Sequence, residues 1–423
     1  MRSIRKGLAL ALVAAMAVLA GCSSTSKNEA KPAGGDTTPK APVEITFWHG
    51  MAPDAAHGKA LTALIKQFND SHPDIKVVET YQGSYTDLET KLTAAIAAQT
   101  PPTLVQNTDS MLTNLVRAKA VQDLGAIVPK TELDDYVPSL LKATTFDGKL
   151  YALPFNKSAL LLIYNKNLVK KVPTNWTEFA QVAKEVTVPG KIYGTAISGN
   201  VYDFAQHYAQ AGGEWLSADG KSTPINNDAG VQALQFLADL IKSGSAVQLK
   251  PNEYQSNYFN EGRAAMIATT SASFAYINPA DKSPWGVAPL YAGPKNNAVP
   301  LSGANISILN GIKPDQQKAA VTFLTWLTGK DATIQFAMSK TGYGPVRKSA
   351  LNDQKWKDFV TANPEYGILA AALPSGVIQP AIPQWQNVQK AITTAVQKAL
   401  LGQATPKAAL DEAATAANAA LQK

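Results

Sequence analysis

The sequence predicts an α/β fold, a mostly parallel sheet with helices packed on its faces, and three observations carry that prediction. Residues 43–106 alternate strand-like and helix-like patterns in the order β-α-β-α-β, as right-handed crossovers between parallel strands require. The run 158–164, "SALLLIY", is apolar without alternation, the pattern of a strand buried on both faces. The chain is 423 residues long, and at ~150 residues per domain its folded part divides into two.

The first element to justify lies ahead of the fold. Residues 1–21 open with Arg2, Arg5 and Lys6 and continue as an uncharged apolar run over 8–19. A basic start followed by a run too short for a spanning helix of ~20 residues predicts a secretory signal. It ends in Leu19-Ala20-Gly21-Cys22, which resembles the bacterial lipobox: small residues suit the peptidase and only a thiol forms the thioether. Cys22 is the only cysteine, so no internal disulfide can use it. Lipidation at Cys22 is therefore expected, with several acyl chains giving stable anchoring where one is marginal. A chance cysteine in an ordinary signal is the alternative. The stretch after Cys22 is rich in Ser, Thr, Lys, Gly, Ala and Pro, lacks large apolar residues, and predicts a flexible tether over 22–42.

The folded part begins with a strand at 45–48, in "ITFWHGM". A helix over 54–69 follows, with Ala60, Leu61, Leu64, Ile65 and Phe68 at helical spacing, and His72-Pro73 stops it. Residues 75–81 form the next strand and 85–98 the next helix, with Leu88, Leu92, Ala95 and Ile96 inward. Pro101-Pro102 ends that helix, and 103–106 is a third strand. Asp147-Gly148-Lys149 reads as a turn opening into a strand at 150–154. Further helices are expected over 176–188, 228–243, 316–328 and 386–401, and strands over 264–269 and 287–290. No repeat of solenoid length is present.

Lys and Arg number 39 against 32 Asp and Glu, a formal charge of +7. Three of those positive charges leave with the signal. The rest are mostly scattered lysines, with Arg117, Arg263 and Arg347 the remaining arginines. No basic run interleaves with aromatics, which argues against nucleic acid as a partner.

Ligands of open parallel sheets sit beyond the carboxyl ends of the strands. Trp48 and His49 lie where the first strand stops, Tyr85 follows the second and Asp109 the third, while Ser271 and Ser273 follow the strand at 264–269. Singly, each could pack a helix end, and Asp109 could cap the helix after it. Together, aromatic and hydrogen-bonding side chains at several strand ends point to a binding crevice.

Ordered short stretches along most of the chain carry a family resemblance: "ITFWHGM", "FNDSHPDIKV", "YQGSY", "PFNKS" with "IYNK", "FNEGRAAM" and "KTGYGPV". The chain resembles the extracytoplasmic solute-binding lipoproteins of ABC importers, in the maltose-binding-protein-like class, and is most similar to its sn-glycerol-3-phosphate-binding branch. The resemblance implies a two-lobed periplasmic-binding-protein-like fold with the ligand cleft between the lobes. It implies a first lobe of 43–153 plus 285–338 and a second of 154–282 plus 339–423. Implied partners are a carbohydrate or polyol phosphate and the transmembrane permease. The protein would sit as a monomer, without cofactor, secreted across the cytoplasmic membrane and held by its lipid, on the cell-membrane outer face or in the periplasm. The branch's contact residues fall on Tyr85, Asp109 (Glu in the branch), Ser158, Thr270 (Ser in the branch), Gly303 and Tyr343. The branch also uses an Arg late in the second lobe, where this chain reads "SGVIQPAIPQW", with Ile378 near that position and no cation. Either Lys157 supplies the charge for a phosphate, or the ligand is a neutral sugar. In the second case Trp215 and Trp385 could stack on it, or else pack in the core.

A secreted glycosidase, working with two carboxylates, is the enzymatic alternative. Asp109, Asp147 and Glu214 are candidate acids, but no motif places two of them on one site. The four histidines lack metal-ligand spacing and G-x-S-x-G is absent.

Overall fold

The computed structural model describes residues 41–422, apart from 251, 252, 381 and 383. The signal segment, Cys22 and the tether up to residue 40 lie outside the described residues. The fold starts as the sequence predicts. Val43–His49 (β1), Ile75–Tyr81 (β2) and Leu104–Asn107 (β3) pair in parallel with β1 in the middle. Helices Ala56–Ser71 and Tyr85–Ala97 form the crossovers. Alternation along β1 buries Ile45, Phe47 and His49 on one face, and Phe47 meets Phe323 edge-on at 5.9 Å. Trp48 therefore points to the opposite face.

The predicted turn at 147–149 is a separate hairpin of Thr145–Phe146 (β4) and Lys149–Leu150 (β5). Its corner residues Asp147 and Gly148 both have positive φ, as a two-residue hairpin loop requires. The apolar run lies within a longer strand, Leu153–Asn165 (β6). Tyr193–Ile197 (β7), Ala246–Gln248 (β8), Ala264–Thr270 (β9), Trp285–Ala288 (β10), Val299–Ile308 (β11) and Gly376–Val377 (β12) complete the strands.

One ten-stranded sheet runs β2-β1-β3-β11-β6-β9-β7-β8, with β10 also on β6 and β12 on β11. Its two ends are parallel, as expected, but its centre is not: β11 pairs antiparallel with both β3 and β6, and β6 antiparallel with β9. The reason is that β6 and β11 each traverse both halves of the molecule in opposite directions. Leu153 and Phe155 of β6 sit in an apolar core with Ile45, Phe68, Ile306 and Phe323. Leu161 to Ile163 sit in another with Phe204, Ile267, Val388 and Leu410. Two apolar cores along one sheet agree with the two-lobed fold that the family resemblance implies. Trp285–Ala288, expected with the first lobe, pairs with Leu162 to Asn165, and Ala288 and Tyr291 join the second core. Conversely, Val346, expected in the second lobe, packs in the first core.

The β6–β11 ladder shifts register between Gly303 and Asn305. Gly303 has φ +106, and a Cβ there would lie 1.9 Å from the Asn156 carbonyl oxygen. The family resemblance makes Gly303 a ligand contact; the close approach seen here is to the backbone of the neighbouring strand. Gly303→Ala should lower unfolding free energy by about 2–3 kcal/mol in urea denaturation, combining positive-φ strain with a backbone clash. Gly220→Ala, with φ +69 but nothing within 4 Å of the added methyl, should cost only about 1 kcal/mol.

Candidate ligand cleft

The glycine of "ITFWHGM" has a local purpose. A Cβ on Gly50 would stand 3.3 Å from the Tyr85 ring, so the aromatic lies directly over this backbone. Gly50 N–H donates to Gln106 Oε1 (2.9 Å), Gln106 Nε2 to Asn156 Oδ1 (2.9 Å), and Asn156 Nδ2 to the Tyr85 hydroxyl (3.4 Å). Tyr85 is the first residue of its helix, fixed there by a reciprocal cap between Ser84 and Asp87. Desolvation pushes the Tyr85 phenol well above its ordinary range and nearby Tyr343 adds to this, against the Asn156 hydrogen bond. Tyr343 is raised in the same way, again opposed by Asn156. One amide thus sits between two half-buried phenols, with the Tyr343 ring stacked on Phe336 at 6.0 Å.

Beside this pair lies a charge pair. Asp109 opens helix Asp109–Arg117, but the cap is Thr108, whose hydroxyl accepts from Met111 N–H. The Asp109 carboxylate is therefore free for other work. Its Oδ1 accepts from Lys157 Nζ (3.2 Å) and Asn305 Nδ2 (2.8 Å). Among the described residues no hydrogen bond goes to Oδ2. The Lys157 side chain is 2% exposed and that of Asp109 28%. Lys157 is thus neutralised within the protein rather than offering an unpaired charge to a phosphate.

Beyond it along β6, Ser158 accepts a 2.8 Å hydrogen bond from Thr270 at the end of β9. Thr270 also lines a cavity of about 1230 Å³ with Asn200, Gln248, Lys250, Tyr254 and Tyr276, at the carboxyl ends of β7, β8 and β9. Exposed Tyr202, on helix Val201–Gln210, has its phenol raised by desolvation and by the charge of Asp109. Tyr276 likewise contributes to the upward shift of Tyr343. The charge of Asp109 thus reaches Tyr202, and Tyr276 on the cavity wall acts on Tyr343. Tyr202, Tyr254, Tyr276, Asn156 and Asn305 were missed by the sequence reading. The strand-end rule would have reached Asn200 and Gln248 had the short strands β7 and β8 been recognised.

Four expected site residues stand elsewhere. His49 is 3% exposed on the core face of β1, with Nδ1 accepting from Met51 N–H and Nε2 3.3 Å from Glu79. Buried Ser271 donates to the Gly342 carbonyl (2.7 Å) and so fixes the loop carrying Tyr343. Trp385 is 3% exposed in the second core, its indole N–H held by Gln379 (2.9 Å). Trp215 packs edge-on against it at 5.2 Å and beside Phe204 and Tyr208. Both tryptophans serve packing. Trp48 is half-buried among Leu88, Val105, Met111 and Tyr85, beside the cluster.

Removing a buried charge while keeping its stem tests the pair. Lys157→Met should lower unfolding free energy of the unliganded protein by about 2 kcal/mol, because Asp109 keeps only Asn305 as a partner. Chemical denaturation at neutral pH measures it; an unchanged midpoint would contradict the pairing.

The model of the bacterial extracellular solute-binding protein family matches residues 63–368. The chain is 26% identical over 407 residues to the sn-glycerol-3-phosphate-binding periplasmic protein UgpB of Yersinia pseudotuberculosis, covering 88% of this chain and 90% of the relative. It superposes with a TM-score of 0.81 on the cyclic α-maltosyl-1,6-maltose binding protein of Arthrobacter globiformis, at 25% identity over 90% of this chain and 99% of that one. UgpB of Mycobacterium tuberculosis, solved with glycerophosphocholine, gives 0.79 at 24% identity, with 90% and 99% covered. With its two-lobed fold and a family match across most of its length, the chain belongs to the bacterial extracellular solute-binding proteins.

Proposed function

We propose that this chain is the solute receptor of an ABC importer, capturing a carbohydrate or glycerol-phosphate-type solute between its lobes and delivering it to the membrane permease. The observation that carries this reading is the meeting of two polar surfaces. Tyr85, Asn156, Tyr343 and Asp109 converge from one side, while Thr270, Tyr254 and Tyr276 line a wide cavity on the other. Phenol rings offer a flat apolar face and a polar tip, and Asp109 offers a carboxylate oxygen to ligand hydroxyls. The proposed lobes are 43–155 with 301–347, and 156–300 with 348–422. This follows the core membership of Val346 and the pairing of β10.

A glycosidase finds less support. Catalysis of that kind needs a second carboxyl within about 5–9.5 Å. The groups hydrogen-bonded to Asp109 are an ammonium and an amide. Asp147 sits at a hairpin corner and Glu214 on an exposed loop. The receptor is proposed to act as a monomer, anchored through Cys22 after removal of the signal.

Two measurements test the proposal. Tyr85→Ala should weaken binding of maltotriose or sn-glycerol 3-phosphate, whichever raises the melting temperature of the full-length protein, by about 1–3 kcal/mol in calorimetry. The bound solute should be recovered unchanged, and appearance of product would establish an enzyme instead. Cys22→Ala should abolish fatty-acid labelling and release the protein from membranes at unaltered ligand affinity. Continued membrane association would sink the lipid anchor.

A further inference from the structure

We infer that Asp203 is a positioning residue for the ligand cavity, its ionised carboxylate holding the loop 198–200 in the shape that receives solute. Affinity should then fall when that carboxylate takes a proton. The inference rests on the solute-receptor reading above.

The loop follows β7 and leads into helix Val201–Gln210. Ser198 and Asn200 line the cavity of about 1230 Å³. Gly199 between them has φ +71, and a Cβ there would lie 2.8 Å from Nε2 of Gln248, a side chain on the same wall. The left-handed glycine lets three successive N–H groups, those of Ser198, Gly199 and Asn200, address the Asp203 carboxylate. The Asn200 N–H is 3.3 Å from Asp203 Oδ2, and the Asn200 side chain accepts from Tyr202 N–H (2.9 Å) in return. A concave row of backbone N–H groups is a seat for an anion, and here the chain supplies that anion itself.

The same helix start is tied to other parts of the cleft. Val201 N–H donates to Thr393 Oγ1 (3.2 Å) on helix Trp385–Leu400, whose Gln397 lines the cavity. Tyr202 feels the charge of Asp109. One carboxylate therefore sets the positions of Ser198, Asn200 and the Tyr202 ring together.

Its surroundings make that charge conditional. Burial lifts Asp203 to about 6, against the pull of the three N–H groups. His207, one turn on, is held down to about 4 by burial, its Nδ1 donating to the Asp203 carbonyl (2.7 Å). Buried Tyr291 has its phenol raised by burial and, less, by the Asp203 charge, against a hydrogen bond with Gln206. Helix Trp385–Leu400 presents Thr393 to the loop, and its Lys398 is paired with Glu412. Asp228 and Asp239 of helix Asp228–Lys242 line a separate groove with Lys184. Lys250 and Glu253 stand on the cavity wall, Glu253 held low chiefly by the Lys250 N–H.

A protonated carboxyl puts an O–H where the loop offers only donors, so the seat is lost. Stability responds in the opposite sense. The folded value stands above the ordinary 3.8, so this group's contribution to stability declines as pH rises from there to about 6. Acidification strengthens the fold through Asp203 while it weakens binding, a split that a purely structural residue would not give.

Calorimetric titration of the full-length protein with maltotriose and glycerophosphocholine, neither of which titrates near neutral pH, tests the coupling. At pH 5 only about one molecule in eleven keeps the charge, so binding should be about tenfold weaker than at pH 7.5, with release of about one proton. Asp203→Asn should bind about tenfold more weakly than wild type at pH 7.5, with a flat pH profile and an unliganded melting temperature that does not fall. In the unliganded wild type, the amide proton resonances of Ser198, Gly199 and Asn200 should titrate together with a midpoint of about 6. Affinity independent of pH, or amide resonances that stay still, would overturn the inference while leaving the receptor reading intact. An equal pH dependence in Asp203→Asn would assign the effect to another group and overturn it too. Absence of binding by both compounds at every pH would overturn the receptor reading, and this inference with it.

Discussion

Lys157 lies midway along β6 with its side chain almost wholly out of water, and an ammonium so placed costs several kcal/mol unless it is matched nearby. The match is Asp109, and three segments meet at Lys157. Asp109 arrives from the helix after β3, Asn305 from β11 shares the same carboxylate oxygen, and the Lys157 carbonyl accepts from Gly344 N–H. This point joins the middle of the chain to segments near its beginning and end. The register shift beside it follows, because Gly303 faces Lys157 while Asn305 faces Pro154. The extra residue turns Asn305 toward Asp109 and leaves Gly303 against the Asn156 carbonyl.

Neighbouring polar groups inherit their places from that junction. Asn156 precedes Lys157 and is held by Gln106, which in turn holds Gly50. The amide so fixed addresses both Tyr85 and Tyr343. Ser158 follows Lys157 and meets Thr270. Three consecutive residues of one strand therefore organise both sides of the cleft, which explains a polar interruption, "NKS", in an otherwise apolar strand. A buried polar network is tolerated where its members satisfy one another.

The start of the fold was legible because its signals are local. Helical spacing, Pro-Pro and His-Pro stops and a short apolar strand need only a few adjacent residues. The strand-end rule pointed to Tyr85 and Asp109 for the same reason, whereas Thr270 came from the family resemblance. The rule failed on His49 because strand period two sends Trp48 and His49 to opposite faces, and only packing shows which face is covered. Lys157 was legible as a cleft lysine but not as a neutralised one, since its partner is 48 residues away. Ser271 presents the same difficulty, its acceptor lying 71 residues ahead. The paired indoles of Trp215 and Trp385 are likewise a long-range contact. Strand β11, "VPLSGANISI", escaped notice because Gly, Ser and Asn weaken a strand pattern even in the middle of a sheet.

The fold alone leaves ligand charge undetermined, since the same architecture is shared by proteins described with a glycerophosphodiester and with a cyclic saccharide. What a cleft of this kind can hold depends on a few side chains at helix starts and on the central strand. An aspartate in the first turn converts an anion-attracting helix end into one already balanced, at no change in backbone. An aspartate beside a buried lysine does the same for a cation. Such exchanges leave strand pairing and core volume intact, so at 26% identity a common fold is compatible with a different charge preference. Here Asp87, Asp109 and Asp203 stand in the first turns of helices Tyr85–Ala97, Asp109–Arg117 and Val201–Gln210. Lys250 on the cavity wall and the uncapped start of helix Gln255–Asn260 act in the opposite sense, so the charge preference of this cleft is set by which of these groups a ligand reaches.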